Sequence, residues 1–306
     1  MAGPGAPLIA IFGPTGVGKT AVAVEVAKRL KARGEDPVAI SADAIQVYEG
    51  LAILSGSASA EEQAQLEHRL ISFVPIWETF SAGRFAELAH TEIDAALAGG
   101  RSPLVVGGTG LYLRAALAHL EMGPPAPPAV RASLERELEA VGLRHLYARL
   151  AEIAPARAAR IGHNDRSRVL RALELLEMDA PPAVRAGAGE LWTDTTRVPT
   201  RLFGLVRDRD DLYARIEARV EDMVALGAEE EVRLADAAGA SATARAAIGF
   251  EELLVGDVER MQRRTRQYAK RQLTWMRKLP GVELIDVTAQ SPTTAAATIV
   301  AALAEA

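Results

Sequence analysis

Eight residues, Gly13-Pro14-Thr15-Gly16-Val17-Gly18-Lys19-Thr20, carry the spacing glycine, four residues, glycine, lysine, threonine. This is the Walker A pattern of a phosphate-binding loop. Its glycines let the backbone wrap an anion with the N–H groups turned inward, and a following helix adds positive charge from its N-terminus. Lys19 supplies a full charge and Thr20 a hydroxyl for Mg²⁺. All eight residues, Gly13 through Thr20, are therefore expected to hold a di- or triphosphate. A chance glycine-rich turn is the bland alternative. The flanks weigh against it, because Leu8–Phe12 is an apolar run and Ala21–Leu30 has helical periodicity.

Other segments offer groups that act on a phosphate ester or its partner. Asp43 follows Ser41-Ala42 at the end of a second apolar run and can serve as a base, help hold Mg²⁺, or simply cap a turn. The run Leu104-Val105-Val106 leads into Gly107-Gly108-Thr109-Gly110, where a P-loop ATPase would carry the Walker B aspartate. ATP hydrolysis as the main activity is weakened accordingly. Arg215 and Arg219 lie four apart on a helical stretch and can clamp a diphosphate, or stay solvated with partners such as Asp211. Arg260 to Lys278 holds eight Lys and Arg and no acid, interleaved with Tyr268 and Trp275. Such an island suits a phosphate backbone with bases stacked on aromatics, or a solvated basic helix whose aromatics face a core. Arg166, Arg168 and Arg171 form a second, smaller basic face, and the five His have no metal-ligand spacing.

These groups need a frame. Strands are expected at Leu8–Phe12, Pro37–Ser41, Leu70–Phe73, Leu104–Val106, Arg201–Val206 and Val282–Ile285. Helices are expected at Ala21–Lys31, Gly83–Leu97, from Leu212 through Met223, and at Thr293–Ala304. The alternation predicts an α/β fold, a P-loop NTPase-like parallel sheet flanked by helices, with ligands at the carboxyl ends of the strands. Gly123–Pro128 reads as a stiff linker, and the following stretch to Glu177 shows only helical periods, one helix being capped by Asn164. Pro181–Gly189 reads as a loop. Three parts follow: a first core segment over 1–123, an all-helical insertion over 124–190, and a second core segment with the basic helix over 191–306.

The chain has 306 residues, 49% hydrophobic and 25% charged, an ordinary globular balance. It has no Cys, which excludes disulfides and thiolate metal sites, and no apolar run approaches a membrane span. The N-terminus lacks signal-peptide character, so a cytoplasmic protein is expected. The net charge of −5 excludes a globally basic nucleic-acid binder and leaves a local basic patch open.

Taken together, the motifs resemble the bacterial tRNA dimethylallyltransferases, also called tRNA isopentenyltransferases. The matching stretches are Gly13–Thr20, Ser41-Ala42-Asp43 with Gln46-Val47-Tyr48, and Phe80-Ser81-Ala82 with Phe85. They continue with Val105–Tyr112, Asn164-Asp165 through Glu174, Leu212-Tyr213 with Arg215–Glu217 and Arg219-Val220, Ala247–Phe250, and Arg266–Trp275. The order is kept across about residues 8–286, and the stretches Gly107–Tyr112 and Ala269–Trp275 are the most specific. The chain departs from the pattern at Ala44, usually Ser, at Glu49, usually basic, and across Ala52–Ala58, which replaces a lysine-containing run.

The resemblance implies transfer of a dimethylallyl group from its diphosphate to N6 of the adenosine 3′ of the tRNA anticodon. Asp43 would take the amine proton. Lys19, Thr20 and Mg²⁺, held by Thr20, would stabilise the leaving diphosphate, and Arg219 with Arg215 would grip it. Asp43, Ala44, Ile45, Gln46 and Thr109 would face the target nucleotide. Arg131, Arg166, Arg168 and Arg171 of the insertion would clasp the anticodon stem-loop, with Arg263, Arg266, Lys270, Arg271 and Arg277 of the basic helix. The partners implied are tRNA and dimethylallyl diphosphate, with no membrane and a monomeric enzyme. The rivals are a small-molecule or nucleoside kinase, which needs an arginine-rich lid, a prenyltransferase acting on free adenine nucleotides, which should lack the insertion, and a non-catalytic RNA-binding module.

Overall fold

A computed structural model describes residues 7–120, 122–179 and 190–304. Six strands form one sheet: β1 (Leu8–Phe12), β2 (Pro37–Ser41), β3 (Glu67–Arg69), β4 (Ser102–Gly107), β5 (Thr200–Val206) and β6 (Val282–Asp286). Their order is β3-β2-β4-β1-β5-β6, and every pairing is parallel. The central strands β1, β2 and β4 are almost wholly buried, as strands covered on both faces must be.

The helices are α1 (Lys19–Lys31), α2 (Ala52–Ser55), α3 (Ala60–Gln65), α4 (Ala82–Ala98), α5 (Gly110–Leu117), α6 (Pro128–Ile153), α7 (Pro155–Ala158), α8 (Arg166–Glu177), α9 (Arg209–Ala225), α10 (Ala228–Ala237), α11 (Ala242–Arg245), α12 (Phe250–Leu254), α13 (Val258–Met276) and α14 (Pro292–Ala302). The chain divides into two compact units, one running to His119 and resuming at Trp192, the other spanning Leu120–Leu191. The second thus begins a few residues before the expected linker.

In the first unit, α1 buries Val22, Val26 and Leu30 in one cluster with Ile9 and Ile11 of β1 and Ala295, Ala296 and Ile299 of α14. Elsewhere α4 meets α5, where the rings of Phe85 and Tyr112 lie 4.6 Å apart. In the second unit, Leu134, Leu146 and Leu150 of α6 pack on Val169, Leu170 and Leu173 of α8. Helix α6 is broken at Gly142, whose φ of 79° and ψ of 164° divide it into two helical stretches.

Two expectations are corrected. Leu70–Phe73 is not a strand: β3 comprises Glu67–Arg69, paired to Val38, Ala39 and Ile40, and the chain then turns with φ of 59° at Leu70 and 47° at Ser72. Helix α8 is capped by the side chain of Asp165, which accepts from Arg168 N at 3.1 Å, rather than by Asn164. The loop expected at Pro181–Gly189 lies outside the described residues. Among the described residues no helix is long and apolar enough to cross a membrane.

The close approach of α5 to α13 sets one demand on the sequence. A Cβ on Gly110, the first residue of α5, would stand 2.3 Å from Cε3 of Trp275. Trp275 is itself held against Trp192, ring centroids 4.5 Å apart, so it has little room to retreat. Gly110→Ala is expected to lower stability by about 1–3 kcal/mol through overpacking. Urea titration checks this, and an unchanged midpoint would show that the seam yields.

Candidate active site

The loop after β1, the turn after β2 and the loop after β4 open into one cavity of about 1040 Å³ at the carboxyl edge of the sheet. Its lining includes Thr15, Gly16, Gly18, Lys19, Thr20, Asp43, Ala44, Ile45, Gln46, Thr109, Arg219 and Arg271. Most of the residues singled out in the core segments therefore meet in one place. Gly13, Pro14 and Val17 belong to the loop's buried underside.

Lys19 Nζ donates to the carbonyls of Gly13 and Pro14, each at 3.0 Å. Burial, reinforced by the nearby Arg219 charge and opposed by Asp43, pushes the Lys19 ammonium down to about 8. Asp43 Oδ1 accepts from Ile45 N at 2.9 Å and from Gln46 N at 3.4 Å, an Asx turn that fixes the carboxylate. Its other oxygen accepts a long bond of 3.4 Å from Thr109 Oγ1. Thr109 Oγ1 also lies 3.1 Å from the Tyr268 hydroxyl. The threonine's single hydrogen goes to Asp43, so the phenol is the donor there. Burial, with the Asp43 charge, raises the Tyr268 hydroxyl well above its usual range and keeps it protonated. Burial likewise raises Tyr112, which also lines the cavity, with Tyr48 and Asp43 adding to the effect.

Arg219 is half-buried, and its Nη2 donates to the carbonyl of Gly56 at 3.2 Å. Arg215 points its Nε at the Gly16 carbonyl, 3.0 Å away, and so braces the phosphate loop from below. The solvated pairing with Asp211 is not formed, because Asp211 binds Arg207 instead. Arg215 and Arg219 thus both adjoin the cavity, one behind its loop and one inside it.

The basic helix α13 presents two faces. Met261, Arg264, Thr265, Tyr268, Arg271 and Gln272 line the cavity, and the Arg271 guanidinium lies 5.6 Å from the centroid of the Tyr268 ring. Arg263, Lys270 and Arg277 are exposed away from it, with Arg263 pairing to Glu259 on its own helix. Arg266 is turned to Glu217 of α9 and stacks over Tyr213. The insertion's arginines are mostly tied to their own unit. Arg131 pairs with Glu135 and the buried Glu174, Arg166 with Glu135, Arg171 with Glu174, and the more exposed Arg168 with Asp165.

Gln272 escaped the sequence reading, apart from its place in a matching stretch. It is buried, its Oε1 accepts from Thr15 N at 2.9 Å, and its Nε2 donates to the Gly108 carbonyl at 2.8 Å. One amide so joins the phosphate loop, the loop after β4 and α13. A neutral residue on the apolar face of a basic helix was the only signal available. Glu231 of α10 was missed as well; its carboxylate accepts from two backbone amides of α2.

Because burial opposes the Lys19 charge, the ammonium is held there at some expense to stability. Lys19→Met is expected to leave the melting temperature unchanged or higher, while diphosphate affinity falls by about 10- to 100-fold, the loss of a charge-assisted hydrogen bond. Calorimetric titration with inorganic diphosphate, beside a thermal melt, checks both halves. A fall in melting temperature with unchanged affinity would assign Lys19 to the fold.

The sequence model of the IPP transferase family matches residues 46–279. The tRNA dimethylallyltransferase of Anaeromyxobacter dehalogenans is 42% identical over 285 residues, covering 90% of this chain and 93% of that protein. That of Rhodospirillum centenum is 42% identical over 287 residues, covering 89% and 88%. The full-length tRNA isopentenylpyrophosphate transferase of Bacillus halodurans has a crystal structure similar to this one, with a TM-score of 0.69, 33% identity and coverage of 98% of this chain and 97% of that one. A eukaryotic dimethylallyltransferase captured acting on tRNA gives a TM-score of 0.76 at 26% identity, covering 96% and 78%. A phosphate loop facing a carboxylate across one cavity, inside a sheet and sequence of this kinship, places the chain in the IPP transferase family.

Proposed function

We propose that the cavity transfers a dimethylallyl group from dimethylallyl diphosphate to N6 of the adenosine on the 3′ side of the tRNA anticodon, releasing diphosphate. The relatives are named tRNA dimethylallyltransferases, and one solved relative is described as acting on tRNA. The observation that carries the reading is the shared cavity. The Asp43 carboxylate and the Lys19, Thr20 and Arg219 side chains line it together, while β4 ends in glycine where a hydrolase would carry its metal-binding acid.

In this reading N6 attacks C1 of the dimethylallyl group as the C1–O bond breaks. The bond's electron pair leaves with the diphosphate, and the N6 proton passes to Asp43. The Asx turn and Thr109 hold the carboxylate in a fixed direction, and the protonated Tyr268 orients Thr109 in turn. Lys19, Arg219 and the amides of the phosphate loop balance the charge that grows on the leaving group. The adenosine must leave the anticodon-loop stack to reach the cavity.

Mg²⁺ fits the diphosphate end in one way. Among the described residues no cluster of three or more acidic or His side chains stands ready for a metal. Mg²⁺ accepts a few protein oxygens and takes the rest from substrate phosphates and water. Thr20 would hold the ion together with the diphosphate, and the ion would supply charge neutralisation there.

Asp43→Asn keeps the shape of the side chain and removes the proton acceptor. It is expected to retain the fold and lower turnover by about 10²- to 10⁴-fold. The assay is mass spectrometry of an anticodon stem-loop after incubation with dimethylallyl diphosphate, with and without ATP. ATP is expected to make no difference; near-normal turnover by the variant would remove Asp43 from the role of base.

RNA affinity is assigned to the outer face of α13. Replacing Arg263, Lys270 and Arg277 together by Ala is expected to weaken stem-loop binding and flatten its salt dependence. Each lost phosphate contact should cost about 0.7–0.9 in the log–log slope. Titration of labelled stem-loop at three salt concentrations reads this out, and an unchanged slope would make the face a solvated one.

A further inference from the structure

Among the described residues, the Arg219 side chain, a half-buried cation, hydrogen-bonds a single carbonyl. Asp43 and Glu62 act on it only through space, and its hydrogen bond goes to Gly56 at 3.2 Å. Burial holds the guanidinium below its usual range, a sign that its surroundings do little to solvate it. Whatever fixes the Gly56 carbonyl therefore fixes the arginine.

Gly56 closes the four-residue helix α2 with φ 57° and ψ 47°. Its carbonyl is shared by Arg219 and by Gln46 Nε2, 3.3 Å away, and Gln46 Oε1 in turn accepts from Ser41 Oγ at 2.7 Å. The fit is tight, for a Cβ on Gly56 would stand 1.7 Å from Nη2 of Arg219. A single turn of helix is not stable alone. The residue before it, Leu51, offers no side-chain cap for its first amides.

That cap arrives from α10. Glu231 Oε1 accepts from Ile53 N at 2.9 Å and Oε2 from Leu54 N at 2.7 Å. Its neighbours Glu229 and Glu230 face outward and pair with Arg233, so Glu231 alone of the three turns inward. It does not line the cavity. Burial raises its carboxyl, and the amides of α2 oppose that rise by favouring the carboxylate.

We propose that Glu231 is a positioning residue for the prenyl-transfer reaction: by anchoring α2 it sets the Gly56 carbonyl, and through it the Arg219 guanidinium that grips the donor diphosphate. The inference rests on the function proposed above. It assigns Glu231 an effect on the donor that runs entirely through Arg219, with none on RNA affinity.

A double-mutant cycle tests it, with prenyl transfer to an anticodon stem-loop as the assay and dimethylallyl diphosphate varied. Glu231→Ala is expected to raise the donor KM about tenfold, with stem-loop Kd changed less than twofold. Added to Arg219→Ala, the same substitution should change the donor KM less than twofold, because the group it positions is gone. Glu231→Gln keeps one acceptor and opposes the other amide with its own N–H, so it should fall between wild type and Ala; it carries the test if the alanine variant melts early. Independent, additive effects in the cycle would overturn the proposal, as would a Gln variant with wild-type KM. Failure of the wild-type protein to add prenyl mass to the stem-loop would instead overturn the reading of the site.

Discussion

The site is assembled by one buried amide. Gln272 reaches from α13 to the phosphate loop with its oxygen and to the loop after β4 with its nitrogen. Those loops follow neighbouring strands, and nothing in the sheet itself sets the distance between their tips. A buried glutamine must satisfy both ends or lose free energy on the order of 1–3 kcal/mol for each one left unpaired. The helix is therefore registered to both loops at once. Tyr268, one turn away, then meets Thr109, and Trp275 meets Gly110. The carboxylate of Asp43 is aimed at the end of that chain of contacts.

Charge is distributed unevenly around this frame. At the phosphate end burial disfavours the charges of both Lys19 and Arg219, Arg219 adds to the effect on Lys19 and Arg215 to that on Arg219, and Asp43 opposes both. The arrangement is poor for the protein alone and suited to a dianion. The outer arginines behave differently. Arg166 leans on Glu135 in a largely exposed pair that contributes little to stability, whereas Arg131 and Arg171 both hold the buried Glu174, a carboxylate that would be costly to leave unpaired. In the proposed complex Arg166 would be the one of the three able to trade its carboxylate for a phosphate at little cost.

What the sequence disclosed follows from how local each feature is. The strand, loop and helix from Leu8 to Lys31 are contiguous, and their glycines and apolar runs declare them. Strand β3 was misplaced because its residues, Glu67, His68 and Arg69, are polar and sit at the sheet's edge, whereas the apolar Leu70–Phe73 that looked like a strand is a turn. Arg215 and Arg219 of α9 were visible by spacing, but their targets, Gly16 and Gly56, are backbone carbonyls far away in the chain and leave no pattern. Gln272 and Glu231 were illegible for the same reason, since each acts on the backbone of a segment more than a hundred residues distant. The basic island was read as one surface, yet helical geometry splits it, sending Arg271 into the cavity and Arg266 to Glu217.

The depressed basicity of Lys19 gives the phosphate loop a bookkeeping of protons as well as of charge. With its ammonium held to about 8 by the protein, a growing share of molecules carries a neutral amine as the solution turns alkaline. A diphosphate raises that value by supplying the missing counter-charge. Above about pH 8, then, each binding event draws hydrogen ion out of the buffer, and affinity declines as hydrogen ion becomes scarce. Departure of the diphosphate returns the ion. In the proposed reaction the loop would be a reversible proton acceptor whose loading follows the anion it carries, and heats of diphosphate binding in buffers of different ionisation enthalpy would diverge on the alkaline side.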